Sequence, residues 1–441
     1  MDVSQQQHYR SLYIEHMTEV GFNLSERQIV FQTETLSWQD CAELEQFIAA
    51  HLSALRLGGA EAYLILLEHL ESIDEDEVLG AVFSLVSIDR FSEGIEAVIE
   101  AFQKADEDIL PLYVDALKHG MCLRLSHDLL PLLESESPLI QAAAIEVLGY
   151  RGDLDPKRLW PLLHESDALV QTSVMVALMR LGYHQALPVI EELILKNADA
   201  SDEMLLLLLV LGSSSVQAII RKACQNSHSI SEQRLIFLTL FGGAQDLPLL
   251  VNALNVNDMK PAVWESLGIL GDVQGVPLLI DGLKSEIDEE RIAAATALNY
   301  LTGANLTQKV TMLEVEEPDL EVSDITVDQS IVTTTSAREG DQREIEVELP
   351  CLDTVIWQNW WQTNQGQFDT SHRWRQGFPI TKERLVNELN QPQIVYQNRQ
   401  LVYFELIIRF RVNVRFEADW FVAKQISALK SMHAMFDEEL T

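Results

Sequence analysis

Tryptophan and arginine side chains are concentrated near the end of this 441-residue chain, where their types suit them to binding. The group comprises Trp360, Trp361, Arg373, Trp374 and Arg375. Indole and guanidinium groups stack on each other, and both residue types dominate the energetics of protein interfaces. Three interpretations stay open: a plug for the exposed end of a helical array, a partner-binding surface, or a small-molecule pocket.

An enzymatic site in the same region would use Arg373 and Arg375 on an anionic substrate. The candidates for acid, base or nucleophile are Asp369, His372, Glu383 and Glu405, without recognisable catalytic spacing. The motifs GxxxxGK[ST], GxGxxG, HExxH and GxSxG do not occur in the sequence. We therefore expect a chain that is not an enzyme, with no catalytic residue and no cofactor.

Metal-binding patterns are also missing from the sequence. The four cysteines lie at least 80 residues apart and form no CxxC pair, so we interpret them as core thiols in a reducing compartment. The acidic run Asp74 to Glu77 lacks the alternating ligands and glycine of a calcium loop. The cluster from His164 to Asp167 suits a solvated turn, and we expect no metal site.

A helix-turn-helix unit repeats through the middle of the chain. Its first helix opens at a proline among aliphatic residues, as at Leu129 to Leu133, and its second helix is followed by a glycine. The closing glycines Gly149, Gly182, Gly212, Gly242 and Gly271 are 33, 30, 30 and 29 residues apart. Proline suits a first helical turn, and glycine tolerates the left-handed conformation that ends a helix.

One such unit cannot bury its own apolar face, so neighbouring units must stack. The second helix around Ala142 to Leu148 is small and aliphatic on nearly every side, as expected between neighbours. Fainter copies extend toward the N-terminus, giving about eight units before residue 305. Period and proline position resemble HEAT repeats, and this resemblance implies an all-α, right-handed α-solenoid with a long concave surface.

Composition divides the chain into four regions. We expect an N-terminal helical region at 1–60, the HEAT-like array at 61–305, an acidic linker at 306–356 and a tryptophan-rich, mainly helical cap at 357–441. The stretch from Thr311 to Pro350 holds 12 acidic and two basic residues, which favours a flexible linker. Alternation at Ile345, Val347 and Leu349 leaves a short strand open as the alternative.

Three helices are predicted in the cap region. Thr381 can cap a helix through Leu389, Pro392 can start a second that runs to Phe410, and residues 418–435 suit a third. Residues 401–416 are rich in Val, Ile, Phe and Tyr, so a strand pair is the alternative there. The basic group Arg409, Arg411 and Arg415 has two open roles, as partner contacts or as counter-charges to the acidic linker.

The segment Leu301 to Leu306, the acidic stretch, Trp360-Trp361 and the run Arg373 to Pro379 together resemble the C-terminal half of an uncharacterised bacterial family of HEAT-like proteins. Genes of that family are often found near type VI secretion clusters. The resemblance implies an adaptor or chaperone for a secreted effector, or an immunity protein against a toxin. The bulky Leu401 to Ile407 departs from the alanine-rich helix common in the family. A scaffold unrelated to secretion is the alternative.

The charge of the chain excludes some partners and favours others. With 68 acidic and 31 basic side chains the net charge is −37, which repels nucleic acids and anionic membranes. Residues 357–441 hold 10 basic and nine acidic side chains, so the excess lies upstream. We expect a basic protein partner, such as an effector, toxin or spike component.

The N-terminus shows no secretory signal, and the longest apolar run, Met204 to Leu211, is too short to cross a bilayer. We therefore expect a cytoplasmic protein. The sequence leaves the oligomeric state open.

Deleting residues 357–441 tests the capping interpretation. We expect the truncated chain to aggregate, because the last repeat would expose its apolar side. Size-exclusion chromatography and circular dichroism of the purified truncation check this. A soluble, fully folded truncation would contradict the interpretation.

Overall fold

The computed structural model describes residues 3–33, 36–88, 93–165, 167–196, 200–226, 229–256, 258–315, 342–392 and 394–438. Within these ranges most of the chain is helical, as the repeat pattern predicts. The chain forms two compact units. Unit 1 comprises Met1–Lys222 and Thr381–Thr441, and unit 2 comprises Ala223–Ile380. The expected cap region is therefore divided between the two units at Thr381.

The helices follow the predicted alternation of first and second helices. Up to the crossing into unit 2 they are α1 (Val3–Gln32), α2 (Cys41–Glu68), α3 (Glu75–Leu85), α4 (Gly94–Lys104), α5 (Leu110–His119), α6 (Leu125–Leu129), α7 (Pro138–Arg151), α8 (Leu162–Glu165), α9 (Ala168–Arg180), α10 (Leu187–Leu195), α11 (Asp202–Leu211) and α12 (Ser214–Cys224). Then come α13 (Glu232–Phe241), α14 (Leu247–Ala253), α15 (Lys260–Leu270), α16 (Val276–Gly282), α17 (Asp288–Thr302) and α18 (Thr354–Asn364). The chain returns to unit 1 with α19 (Lys382–Leu389), α20 (Tyr396–Phe410) and α21 (Val422–Glu438).

The second helices of the repeats stack side by side and form most of the core. In unit 1, α3 packs on α5, α5 on α7, α7 on α9 and α9 on α11. In unit 2, α13 packs on α15 and α15 on α17. The expected N-terminal helical region is formed by α1 and α2, and α1 packs against α3. Each unit thus buries a continuous apolar layer that no single repeat could bury alone.

Local sequence signals explain where the second helices begin. Ser137, Ser201 and Ser231 each accept a hydrogen bond from a backbone N–H three residues later, at the start of α7, α11 and α13. Such caps satisfy amides that have no partner inside the helix, and each contributes about 1 kcal/mol. The starts of these second helices are therefore encoded locally, by serine caps that were not predicted.

The predicted role of Gly149 as a helix end is wrong. Helix α7 continues to Arg151, and Gly152 ends it in the left-handed conformation with φ 81°. Gly149 lies inside the helix, where a Cβ atom would be 2.6 Å from the Cβ of Ala177 in α9. The glycine is needed here for close approach of two second helices, and the repeat spacing alone could not distinguish the two roles.

The expected linker contains regular structure in its described parts. Residues Thr307–Val315 and Gln342–Pro350 form strands β1 and β2, which pair antiparallel with Val310 opposite Val347. The strand alternative is therefore correct there. Alternating apolar residues gave the signal, and backbone pairing outweighed the acidic composition. Residues 316–341 lie outside the described ranges.

Three helices are present near the C-terminus as predicted, but the second begins at Tyr396 and not at Pro392, and the third begins at Val422. Thr381 caps α19 through its side-chain oxygen, and α20 ends at Phe410. The strand-pair alternative for residues 401–416 is wrong, because 401–410 continue α20 and residues 411–417 form no strand. Two-residue strands occur instead at β3 (Trp374–Arg375) and β4 (Phe378–Pro379), in unit 2.

Replacing Gly149 with alanine is expected to destabilise the protein by about 1 kcal/mol or more, because the added methyl group overpacks the contact between α7 and α9. Helix propensity alone would give the opposite sign, since alanine is favoured over glycine by about 1 kcal/mol. Urea unfolding measures the difference. A Cβ at Gly366 meets no atom within 4 Å, so Gly366→Ala is the near-neutral control. An equally stable Gly149→Ala variant would contradict the packing argument.

Candidate functional site

A connected group of aromatic rings is formed by helix α18 and the residues after it, in unit 2. Trp357 is fully buried, and its indole N–H donates to the Cys351 carbonyl at 2.7 Å. The Phe368 ring lies 6.3 Å from Trp360, 5.5 Å from Trp361 and 4.8 Å from Trp374, measured between ring centroids. The structure therefore brings the predicted tryptophans together around one phenylalanine, which the sequence analysis did not single out.

The two arginines of the predicted site bind backbone carbonyls inside unit 2. Arg373 donates to Leu270 O, to Ile269 O at 3.0 Å and to Thr239 O at 3.1 Å. These carbonyls lie at the carboxyl ends of α15 and α13, where helices leave acceptors unsatisfied and carry partial negative charge. Arg373 thus caps two second helices at once.

Arg375 and Trp374 are also held by the helix ends. Arg375 is buried, donates to Ile269 O at 3.3 Å and lies 5.1 Å from the centroid of the Tyr300 ring. The backbone N–H of Trp374 donates to Gly271 O at 2.8 Å. A Cβ atom at Gly271 would lie 2.3 Å from the Trp374 carbonyl oxygen. Because glycine has no Cβ atom, the backbone of Trp374 can approach this end of the repeat closely.

The five predicted site residues therefore fall into two groups. Trp374 and Arg375 are buried and Arg373 is half-buried, each contacting the ends of second helices. Trp360 and Trp361 are half-buried and lie on α18. A direct partner contact is compatible with the second group, whereas the first group has a structural role.

The candidate acid and base residues do not form a catalytic arrangement. Asp369 and His372 do meet, with His372 Nδ1 2.9 Å from Asp369 Oδ1, but Ser371 Oγ lies 3.0 Å from the same ring nitrogen. A serine triad needs the aspartate and the serine on opposite ring nitrogens. Hydrogen bonds from Ser371 and His372 lower the pKa of Asp369 to about 2. This is the geometry of an exposed turn.

The remaining candidates of the enzymatic hypothesis lie in unit 1. Glu383 is in α19, and Glu405 is in α20. The Glu405 carboxylate pairs with Arg409 of the same helix at 2.8 Å. Glu383 and Glu405 thus belong to unit 1, whereas Asp369 and His372 belong to unit 2.

Arginines from the returning segment meet helix ends in unit 1 as well. Arg415 donates to the carbonyls of Gly149 at 3.2 Å and Tyr150 at 2.6 Å, near the carboxyl end of α7. A Cβ at Gly212, after α11, would lie 2.7 Å from Nη1 of Arg411. Arg415 therefore caps the carboxyl end of α7.

A network of charged and aromatic groups joins the returning segment to the repeats of unit 1. Arg27 pairs with Glu45 at 3.1 Å and donates to the Asp419 carbonyl at 3.1 Å. The Tyr150 hydroxyl donates to Asp419 Oδ1 at 2.8 Å, and Arg180 lies 3.6 Å from Glu417. Burial raises the pKa of the Glu417 carboxyl. These desolvated groups hold the segment in one register.

His119 lies at the centre of this network. Its ring meets Tyr150 and Phe421 edge to face, with centroids 5.3 and 5.8 Å apart. Burial, followed by the nearby cations Arg27 and Lys118, lowers the pKa of His119 well below its ordinary value. The imidazole is therefore neutral at physiological pH, because a buried charge beside cations is unfavourable.

Unit 1 also contains a small cavity of about 80 Å³ beside α20. It is lined by Met179, Arg180, Val210, Gln400, Tyr403, Phe404, Ile407, Phe416, Glu417 and Ala418. Pockets for drug-sized ligands are several times larger. Among the described residues no group of three or more His, Cys, Asp or Glu is arranged to hold a metal ion. No helix in the described ranges is long and apolar enough to cross a membrane.

Residues 126–207 match the family model of HEAT repeats. The solved structure of human deoxyhypusine hydroxylase in complex with glycerol is similar over 64% of this chain and 96% of that chain, with 15% sequence identity and a TM-score of 0.20. No curated protein matched the sequence. The repeat match supports HEAT-like repeats in the middle of the array, an architecture that suggests a protein-interaction or scaffold role.

Replacing His119 with phenylalanine is expected to reduce the dependence of stability on pH between 7 and 5. Because the folded-state pKa lies below the unfolded value of 6.5, the unfolded chain takes up the proton first. Stability from the neutral imidazole is complete above about pH 6.5 and is lost as the pH falls. Urea unfolding at several pH values measures the slope.

The control for this experiment is His127→Phe, because His127 is 85% exposed. Burial raises the pKa of Glu417 and Asp115, so these carboxyls act in the opposite direction in every variant. The comparison therefore uses differences from the unmodified chain. An unchanged slope in His119→Phe would contradict the role assigned to the imidazole.

Proposed function

We propose that this chain is a non-catalytic protein-binding module that takes a basic protein as its partner. The observation that carries the proposal is a difference between the two kinds of charged side chain. Several arginines are bound inside the protein, whereas many acidic side chains are exposed. Arg373, Arg375, Arg399 and Arg415 donate to backbone carbonyls within their own unit. Many carboxylates at the repeat turns are instead exposed to solvent, where Asp74 and Asp167 also cap helices and Asp288 pairs with Arg291.

These carboxylates cluster at the turns that precede the second helices. The exposed ones are Glu71, Asp74, Glu75, Asp106, Glu107, Asp108, Glu134, Glu136, Asp167, Glu203, Glu232, Asp258, Glu286, Asp288 and Glu289. Acidic residues are favourable at helix N-termini, which explains their position within each repeat. Together they produce a negative field that attracts a basic partner and speeds encounter.

Within this proposal, the more specific role is an adaptor, chaperone or immunity protein linked to type VI secretion in the bacterial cytoplasm. It rests on the family resemblance of Leu301 to Leu306 and Arg373 to Pro379. In unit 2 these two segments contact each other, with Gln376 N donating to Tyr300 O at 2.6 Å and Gly377 N to Leu301 O at 3.2 Å. The segments that carry the family resemblance therefore contact each other in the folded protein. A gene directly downstream of a toxin gene would favour immunity, and one between a spike gene and its effector would favour loading.

Affinity purification of the tagged full chain from its host, at low and high salt, tests the proposed function. We expect one basic protein at about 50 mM salt that is lost at about 500 mM, because screening shortens the reach of exposed charges. Mass spectrometry identifies it, and the reciprocal tag on that protein is the control. A partner that is acidic, or that stays bound at high salt, would contradict the charge argument.

A further inference from the structure

Helix α18 presents a surface whose composition differs from the rest of this acidic chain. Residues 354–368 contain no charged side chain, although charged residues make up 22% of the sequence. They contain three of the eight tryptophans. Charged residues are depleted and tryptophan is enriched at the centres of protein interfaces. The composition of this stretch is therefore typical of a binding surface.

Several apolar side chains of α18 are open to solvent. Val355 is 61% exposed and Ile356 is 46% exposed, while Trp360 and Trp361 are half-buried. Ile356 and Trp360 are four residues apart and lie on the same side of the helix. We call Val355, Ile356, Trp360 and Trp361 the α18 surface. Single exposed aliphatic residues are common, but Val355 and Ile356 lie on the same helix as two half-buried indoles.

Contacts within unit 2 hold the α18 surface in place. Asp353 caps the helix by accepting from the Val355 and Ile356 amides at 2.7 and 3.2 Å. Trp357 anchors it to the Cys351 carbonyl, and Phe368 supports the two half-buried tryptophans. Aromatic groups that are already fixed lose little conformational entropy when they bind. The surface is thus prepared for a partner without rearrangement.

The charges around the surface indicate the chemistry of the partner. Asp353 and Asp369 are exposed and stand at the two ends of the uncharged stretch. A second copy of this chain is disfavoured as the occupant, because two molecules of net charge −37 repel each other. A partner segment with an apolar side and basic flanking residues complements both the apolar α18 surface and the two aspartates beside it.

We propose that the α18 surface is the docking site for an amphipathic helix of the basic partner. This inference rests on the proposed function and assigns it a place in the molecule. The apolar side of the incoming helix packs on Ile356 and Trp360, and its basic residues face Asp353 and Asp369. Helix docking onto an apolar surface is a common mode of recognition.

Two synthetic peptides probe this surface directly. Each is about 18 residues long, or about five helical turns, with leucines along one side. The other side carries lysines in the first peptide and glutamates in the second. Isothermal titration calorimetry with the full chain at low salt is expected to show binding of the lysine peptide only.

Substitutions on the surface then locate the site. Ile356→Lys is expected to weaken the lysine peptide about tenfold or more, since it removes an apolar contact and adds repulsion. Ile356→Glu removes the same contact with the opposite charge, so the loss is smaller. Leu123→Lys is the matched control, because Leu123 is a 94% exposed aliphatic residue in unit 1. Circular dichroism verifies that all three variants are folded.

The outcomes separate this inference from the proposed function. Weakening by Ile356→Lys but not by Leu123→Lys supports the α18 surface. Salt-sensitive binding of the lysine peptide that all variants leave unchanged overturns the α18 surface and leaves the basic-partner proposal standing. No binding of the lysine peptide, or equal binding of the glutamate peptide, overturns both. Hydrogen exchange locates the binding site independently. Residues 354–364 are expected to become protected when the lysine peptide binds, and the absence of this protection counts against the α18 surface.

Discussion

The carbonyl groups at the carboxyl ends of the second helices are the constraint on which both units depend. Each helix leaves its last four carbonyls without an internal partner, and these ends carry partial negative charge. Arg415 satisfies α7 in unit 1, and Arg373 satisfies α13 and α15 in unit 2. The backbone amides of Gln376 and Gly377 do the same for α17. The path of the chain after each array, and the burial of its arginines, follow from this requirement.

Much of the fold was predictable because its signals are local. The prolines and closing glycines predicted the helix pairs, and Thr381 predicted α19. The error at Gly149 arose because a glycine serves helix ends and close helix contacts equally well. The return of residues 381–438 to unit 1 depends on contacts between segments far apart in sequence. No periodic pattern encodes such contacts, so the sequence predicted a terminal cap instead.

The candidate site was predictable in composition but not in role. Tryptophan and arginine mark both interfaces and interiors, and a sequence cannot separate the two uses. Three-dimensional contacts assign Arg373 and Arg375 to helix ends and leave Trp360 and Trp361 half-exposed. Because these arginines bind helix ends inside their unit, they do not neutralise the exposed carboxylates of the repeat turns, which contribute to the external negative field.

Unit 1 is discontinuous, and this has a consequence for biosynthesis. Its first part, Met1–Lys222, leaves the ribosome well before the segment Thr381–Thr441 that completes it, with all of unit 2 synthesised in between. Until then the ends of its second helices lack their arginine partners, and apolar positions that later meet Phe421 face solvent. A chain that stops before Thr381 therefore leaves the carboxyl end of α7 without the guanidinium of Arg415 and Phe83 without its contact to Phe421.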